Sequence, residues 1–148
     1  MPKQTKKRDT GCPIAFALDT FGDRWSLLVI RDMAFKGFQS YNQFLNSEEK
    51  IATNVLADRL AELEELGIIS KLTDPADGRR HLYVLTSKGI ALLPVLIEMM
   101  QWSAQYDVNT IVKPEILSRI VHDREAFITQ LREKIINRQA LLAPMSRA

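Results

Sequence analysis

The sequence predicts an α+β chain, mostly helical, with one two-stranded β-hairpin set between helices and extra helices toward the C-terminus. Three observations carry this expectation. Apolar residues recur at helical spacing through most of the 148 positions, whereas residues 68–86 are β-rich and divided by Asp74-Pro75-Ala76-Asp77-Gly78. Composition is that of an ordinary folded domain, 46% apolar and 26% charged, with six Gly and six Pro, which excludes collagen-like, low-complexity and disordered chains. A chain of this length is expected to bury one core of its own.

Residues 1–11 lack apolar periodicity and carry Lys3, Lys6, Lys7 and Arg8 against Asp9, so they read as a flexible basic arm of charge +3. The other 16 basic and 17 acidic residues leave −1, so any attraction to a polyanion must come from local patches. Gly11-Cys12-Pro13 predicts a short helix with Pro at its first position and Cys12 as N-cap, broken at Phe21-Gly22. Asp23 caps a second helix carrying Trp25, Leu28, Val29 and Met33 and ending near Gly37; Ser40 caps a shorter one with Tyr41, Phe44 and Leu45. The clearest pattern is Ile51, Val55, Leu56, Leu60, Leu63 and Leu66, closed by Gly67 as a left-handed cap.

Pro-x-Asp-Gly between the two β-rich runs predicts a hairpin with a long, charged tip. Thr86 or Ser87 then caps a helix with Leu92, Leu93, Leu96, Ile97 and Met100, reaching about Tyr106, in which Pro94 should produce a kink or shorten the regular part. Pro114 opens a helix with Ile116, Leu117, Ile120 and Val121, Asp123 caps another with Phe127, Leu131, Ile135 and Ile136, and residues 143–148 are expected to fray. The expected organisation is an arm over 1–11, a unit over 12–106, and a helical extension over 107–148 that belongs to the same domain or serves dimerisation.

A single cysteine cannot form an intrachain disulfide, and the most apolar run, 90–97, is broken by Pro94 and far shorter than the ~18–20 residues of a spanning helix. Ala15-Phe16-Ala17 mimics a cleavage site after a basic tip, but no hydrophobic region of adequate length precedes it. A cytoplasmic protein without membrane partners is expected. His81 and His122 stand alone, so no metal site and no cofactor is expected. Cys12 with either histidine is the one conceivable nucleophile and base pair; no orienting group or glycine-rich oxyanion segment accompanies it, so the chain does not read as an enzyme.

Helix, helix, longer helix, hairpin, helix is the order of a winged helix-turn-helix. Cys12-Pro13, Phe21-Gly22-Asp23-Arg24-Trp25-Ser26-Leu27-Leu28, Tyr41-Asn42-Gln43-Phe44, the Leu56-to-Gly67 pattern and Tyr83-x-Leu85-Thr86-x-x-Gly89 resemble, in order, the HxlR-type winged helix-turn-helix regulators, bacterial relatives of the MarR group. The resemblance covers about 12–102. It implies a dimeric, sequence-specific transcription factor, by family habit a repressor on a pseudo-palindromic operator, answering oxidants, electrophiles or a small apolar ligand. Ala52 departs from the serine that commonly opens the recognition helix, and the tail beyond Asp107 exceeds the usual core. A winged-helix module that binds protein and not DNA is the rival reading.

On the helix over 52–66 the leucine face is core, and the opposite face offers Thr53, Asn54, Asp58 and Arg59. Asn bonds adenine bidentately and Thr offers a hydroxyl or methyl. With the resemblance, base contact is favoured for Asn54, whereas a solvated surface is an equal reading for Thr53, and for Arg59 a surface pairing with Glu62 or Asp58 is an equal reading. Arg79 and Arg80 at the hairpin tip suit phosphates or a narrow minor groove, provided Asp74 and Asp77 point away. Trp102, Ile116, Ile120, Phe127 and Leu131 are expected at a homodimer interface, because the chain has more apolar stripes than a small winged core covers. Cys12 reads either as a small packed residue or as a thiol sensor at a helix N-terminus, where the macrodipole favours thiolate; the resemblance favours sensing.

Overall fold

The computed structural model describes residues 10–142 and 146–147. The expected arm, apart from Thr10 and Gly11, lies outside the described residues. The elements run α1 (Pro13–Phe21), α2 (Arg24–Phe35), α3 (Tyr41–Leu45), α4 (Thr53–Glu65), β1 (Ile69–Asp74), β2 (Asp77–Leu85), α5 (Ser87–Ile90), α6 (Leu93–Tyr106), α7 (Pro114–His122), α8 (Arg124–Ala140) and β3 (Ser146–Arg147). This is the α+β, mostly helical winged helix-turn-helix that the sequence predicts, with extra C-terminal helices.

The helix ends follow local chemistry. Cys12 is the N-cap of α1, its Sγ accepting from the Ala15 N–H at 3.5 Å. The Asp23 carboxylate takes the N–H groups of Trp25 and Ser26 at 3.0 and 2.9 Å and the Ser26 hydroxyl at 2.6 Å. Burial opposes its charge, but the bonds from Ser26 and the nearby Arg59 outweigh that and hold the carboxyl below its ordinary range. Ser40 and Gln43 form a reciprocal capping box on α3. Gly67, at φ 74, ends α4: its N–H bonds the Glu64 carbonyl at 3.0 Å while the Ile68 N–H reaches the Leu63 carbonyl at 2.9 Å. The Lys88 ammonium adds a bond to the Leu66 carbonyl at 2.6 Å.

Three details differ from expectation, and a fourth selects between expected alternatives: Pro94 shortens the regular helix and does not kink it. The segment ends at Ile90 and a new helix opens at Leu93 with the proline in its first turn, where its missing N–H costs nothing. The hairpin tip is short: β2 already begins at Asp77, leaving Pro75 and Ala76 as the turn, because the Asp74 carboxylate accepts from the Ala76 N–H at 2.9 Å and the register shifts between Thr73 and Asp74. Asp123 stands at the N-cap of α8 without capping it, its carboxylate lying 3.6 Å from Arg119 instead. Ser146 and Arg147, expected to fray, pair antiparallel with Thr73 and Leu72 at the free edge of β1.

The main core joins Val29, Ile30 and Met33 of α2, Phe44 of α3, Leu56, Leu60 and Leu63 of α4, the β1 and β2 bases, α6 and, from α8, Ile135. A second cluster holds Ile97 of α6, Ile120 of α7 and Phe127 of α8. Polar ties fasten the tail: the Gln139 side chain accepts from the Leu85 N–H at 2.8 Å and donates to its carbonyl at 3.0 Å, and Arg138 donates to the Met33 carbonyl at 3.2 Å. Gly89 of the Tyr83-to-Gly89 motif sits where a Cβ would fall 2.3 Å from the Ile68 carbonyl oxygen, so the α5 approach to β1 requires glycine.

Arg31 anchors the segment between α3 and α4. Its guanidinium grips both Glu49 carboxylate oxygens at 2.6 and 2.7 Å, donates to Asp32 at 2.9 and 2.7 Å, and reaches the Ser47 hydroxyl at 3.2 Å. The Arg31 bonds hold the Glu49 carboxyl at about 2, against an ordinary 4.5. Because the folded value lies below the ordinary one, this contribution is complete above pH 4.5 and is lost as pH falls toward 2. Glu49→Gln is therefore expected to lower stability near neutrality by roughly 1–2 kcal/mol and to flatten the acid loss. Urea unfolding of both proteins across that pH window checks this; parallel curves would show that the pair contributes nothing specific.

Candidate nucleic-acid interface

The α3–turn–α4 pair is the helix-turn-helix. Phe44 and Leu56 lock the two helices into the core, and the Tyr41 hydroxyl of α3 donates to the Thr53 carbonyl at 3.0 Å, fixing the first turn of α4. Thr53, Asn54, Ala57 and Asp58 are exposed, so the face opposite the leucines is small or polar. Acidic side chains on α4 begin at Asp58 and continue with Glu62, Glu64 and Glu65, so the first turn carries none. Ala52 is the N-cap and supplies no side-chain bond, which leaves the first-turn N–H groups uncapped by a side chain.

The structure separates the four α4 candidates. Thr53 and Asn54 project from the acid-free end, Asp58 lies a turn further on, and Arg59 is half-buried with its guanidinium 3.5 Å from Asp23. Arg59 thus ties α4 to the capped start of α2, a partner the sequence reading did not weigh against Asp58 and Glu62. Lys50 was missed altogether: it is exposed just ahead of α4 in a left-handed conformation, φ 54, with its N–H bonded to Ser47 at 3.0 Å. A non-glycine residue in this region is uncommon, and no residue-type signal announces it.

Residues 75–80 are exposed, with the Arg79 side chain 96% accessible. The aspartates do not point away: Arg79 lies 3.6 Å from Asp77 and Arg80 3.8 Å from Asp74. At such exposure these pairs are weak and readily exchanged for a phosphate. His81, at the base of the tip, shares a 3.2 Å hydrogen bond with Thr73 across the strands. Among the described residues no group of three His, Cys, Asp or Glu is placed to hold a metal, and no helix is long and apolar enough to cross a membrane.

The expected dimer residues fall into two sets. Ile120 and Phe127 do not offer themselves to a partner: they are buried against Ile97 within the chain because α6, α7 and α8 cover one another's stripes, and Ile116 and Leu131 are half-buried on the same cluster. Trp102 is 65% exposed and packs its ring 5.3 Å from that of Tyr106. The most exposed apolar side chains on helices are Ile14 and Leu18 of α1 and Trp102 and Tyr106 of α6, followed by Met99 of α6 and, on the tail helices, Val121 and Ile136. Cys12 is exposed at the head of α1, so it fills no core.

Fold and site together define a winged helix-turn-helix with an unobstructed recognition-helix end. Residues 20–110 match the HxlR-like helix-turn-helix family, and the chain belongs to it. It is 35% identical over 99 residues to an uncharacterized HTH-type transcriptional regulator of Mycobacterium tuberculosis (strain CDC 1551 / Oshkosh), covering 67% of this chain and 61% of the relative, so it spans about three fifths of that relative's length. Among solved structures it is similar to the reduced form of the transcriptional regulator YodB of Bacillus subtilis, with 31% identity, a TM-score of 0.55 and coverage of 67% of this chain and 97% of that one. It is likewise similar to the redox regulator HypR in its oxidized form, with 28% identity, a TM-score of 0.56 and coverage of 64% and 96%. Helices α7 and α8 lie beyond the matched family stretch.

The Tyr41 tie yields a direct expectation. Tyr41→Phe removes one bond and no packing, so urea unfolding should show a loss of about 0.5–1.5 kcal/mol. An unchanged midpoint would mean that packing alone sets the first turn of α4.

Proposed function

We propose that this chain regulates transcription as a homodimeric repressor on a pseudo-palindromic DNA operator, working in the cytoplasm without a cofactor. The observation that carries the reading is the combination, on one winged unit, of an exposed acid-free first turn on α4 and an exposed hairpin tip bearing Arg79 and Arg80. In it Thr53 and Asn54 meet base edges in a major groove, Asn54 bonding adenine, and Asp58 accepts from a cytosine amino group. Arg79, Arg80 and Lys50 contact phosphate, and Arg59 positions α4 through Asp23. The relatives' names as transcriptional regulators support this reading. Residues 12–106 act as the DNA-binding unit and 107–148 as a helical extension, whose helices α7 and α8 pack on α6 and the core.

The dimer forms through the exposed apolar side chains of α1 and the end of α6, a reading supported by the exposure of Ile14, Leu18, Trp102 and Tyr106. Two copies then present their α4 helices one helical turn apart, ~34–36 Å. Asn54→Ala is expected to weaken binding to the selected operator by about 1–3 kcal/mol and leave random DNA unchanged. Arg79→Ala with Arg80→Ala weakens both and lowers the salt slope by roughly 0.9 per phosphate lost. Gel-shift titrations at several salt concentrations measure both; equal losses for Asn54→Ala on operator and random DNA would remove its base contact.

Cys12 is in this reading a thiol sensor, supported by its exposure at the head of α1 beside the proposed dimer surface and by the redox description of HypR. With one cysteine per chain, oxidation gives an intersubunit disulfide, a mixed disulfide or a sulfur oxyacid. Diamide should release wild-type protein from its operator and leave Cys12→Ser bound. Equal release of both assigns the effector to another site.

A further inference from the structure

We propose that the cavity between α2, α6 and the start of α7 binds an amphipathic organic monocarboxylate, its alkyl or aryl body inside and its carboxylate between Lys113 and Lys134. The inference rests on the regulator reading only in making that ligand an effector; binding itself stands apart from DNA. The cavity encloses about 780 Å³ and opens to solvent, within the ~300–1,000 Å³ of small-molecule sites. Its walls are chiefly apolar, with Leu28 and Phe35 from α2, Met100 from α6, Ile116 from α7 and Phe127 from α8. The loop that closes one side is held in shape by the Thr110 hydroxyl bonded to the Ser103 carbonyl at 3.2 Å and by the Asn109 N–H bonded to the Asp107 carboxylate at 3.0 Å.

The charge around this cavity has one sign. Arg31, Lys36, Lys113 and Lys134 line it and no lining side chain is acidic. Arg31 and Lys36 are already engaged, the first by Glu49 and Asp32 and the second by Asp32 at 3.6 Å. Lys113 and Lys134, both exposed, have no acidic partner within 4 Å among the described residues. Two uncompensated ammonium groups at the rim of an apolar chamber favour a ligand that is apolar along its length and anionic at one end. A neutral hydrocarbon leaves the ammoniums without a partner, a polyphosphate sets its charged body against chiefly apolar walls, and an organic cation is repelled.

The location links such a ligand to the recognition helix. Arg31 lies on the cavity wall and at the same time grips Glu49, next to Lys50 and two residues before Ile51 leads into α4. A body seated against Leu28 and Phe35 bears on the helix that holds α4 in place. Four of the lining residues named, Lys113, Ile116, Phe127 and Lys134, come from beyond the matched family stretch at 20–110, so both unpaired ammonium groups are supplied by this chain's extension.

Calorimetric titration of the full chain with decanoate, 1-decanol and decylamine tests the proposal. Decanoate is expected to bind saturably, one per chain, and at least tenfold more tightly than decylamine. Lys113→Gln with Lys134→Gln, two surface changes that leave the fold intact, should weaken decanoate about tenfold, the scale of one lost charged hydrogen bond, and leave 1-decanol unchanged. Met100→Trp, which narrows the chamber where the apolar body lies, should weaken both ligands. Absent saturation, a decanoate affinity untouched by the lysine pair, or a Met100→Trp protein that binds decanoate as tightly as wild type would each overturn the assignment. So would sedimentation showing that the lysine pair or Met100→Trp alters self-association and not decanoate binding, which would make a second copy the occupant. DNA affinity of the wild-type protein is read without ligand: a wild-type chain that binds decanoate and no DNA removes the regulator reading alone, and one that binds DNA and no decanoate removes the chamber alone.

Discussion

The guanidinium of Arg31 fixes what the rest of the structure depends on, because it is the group that converts a polar, seven-residue connection between α3 and α4 into a defined one. Residues 46–50 carry no apolar side chain to hold them to the core. Yet α4 must emerge at one angle if its first turn is to meet anything. A bidentate clamp on Glu49, with Ser47 and the nearly buried Asp32 in the same network, holds the connection against α2 from one side. Ile51, 7% exposed, holds it from the other. Within that constraint Lys50 takes a left-handed backbone, a local cost that the surrounding bonds offset.

The same logic runs through the second tie on α4. Asp23 accepts three hydrogen bonds at the head of α2 and still lies 3.5 Å from Arg59. One carboxylate therefore caps one helix and orients another. Arg31 and Arg59, at different points along α2 and α4, leave the recognition helix little freedom to roll. The leucines beneath it hold it down without choosing its rotation, since dispersion and burial are not directional.

Sequence periodicity disclosed what is local. Asp23, Ser40, Gly67 and Thr86 are legible as caps because each acts within three or four residues of itself, and the leucine stripe of α4 is legible because burial imposes a 3.6-residue period. Arg31 with Glu49, Arg59 with Asp23 and Gln139 with Leu85 are not legible, because the partners are 18, 36 and 54 positions apart and a charged residue carries no mark of which opposite charge it will meet. The exposed apolar surface shows the limit most plainly. Counting apolar stripes established that more existed than a winged core covers, but not that α7 and α8 would cover one another and Ile97, leaving Trp102 exposed and Ile120 buried. Stripe width predicts that a face is covered; only packing decides by what. The candidate reading face was legible by residue type, and the commitment of Arg59 and the conformation of Lys50 were not.

Helix α6 shows how one element comes to serve several surfaces. Ile97, at 0% exposure, faces α7 and α8, Leu93 and Leu96 face the winged core, Met100 lines the chamber, and Trp102 with Tyr106 faces solvent. Fourteen residues make nearly four turns, enough for these directions to be separate, and Pro94 at the start lets the helix leave the hairpin base at its own angle rather than prolong α5. Arg124 then fixes the far side, bonding Glu98 at 2.5 Å and the Ile120 carbonyl at 3.4 Å, so that α7 and α8 move with α6. Packing this dense transmits displacement instead of absorbing it. Helices α6 and α2 share the walls of the chamber, and Arg31, on that wall, is bonded to Glu49 in the connection that sets α4.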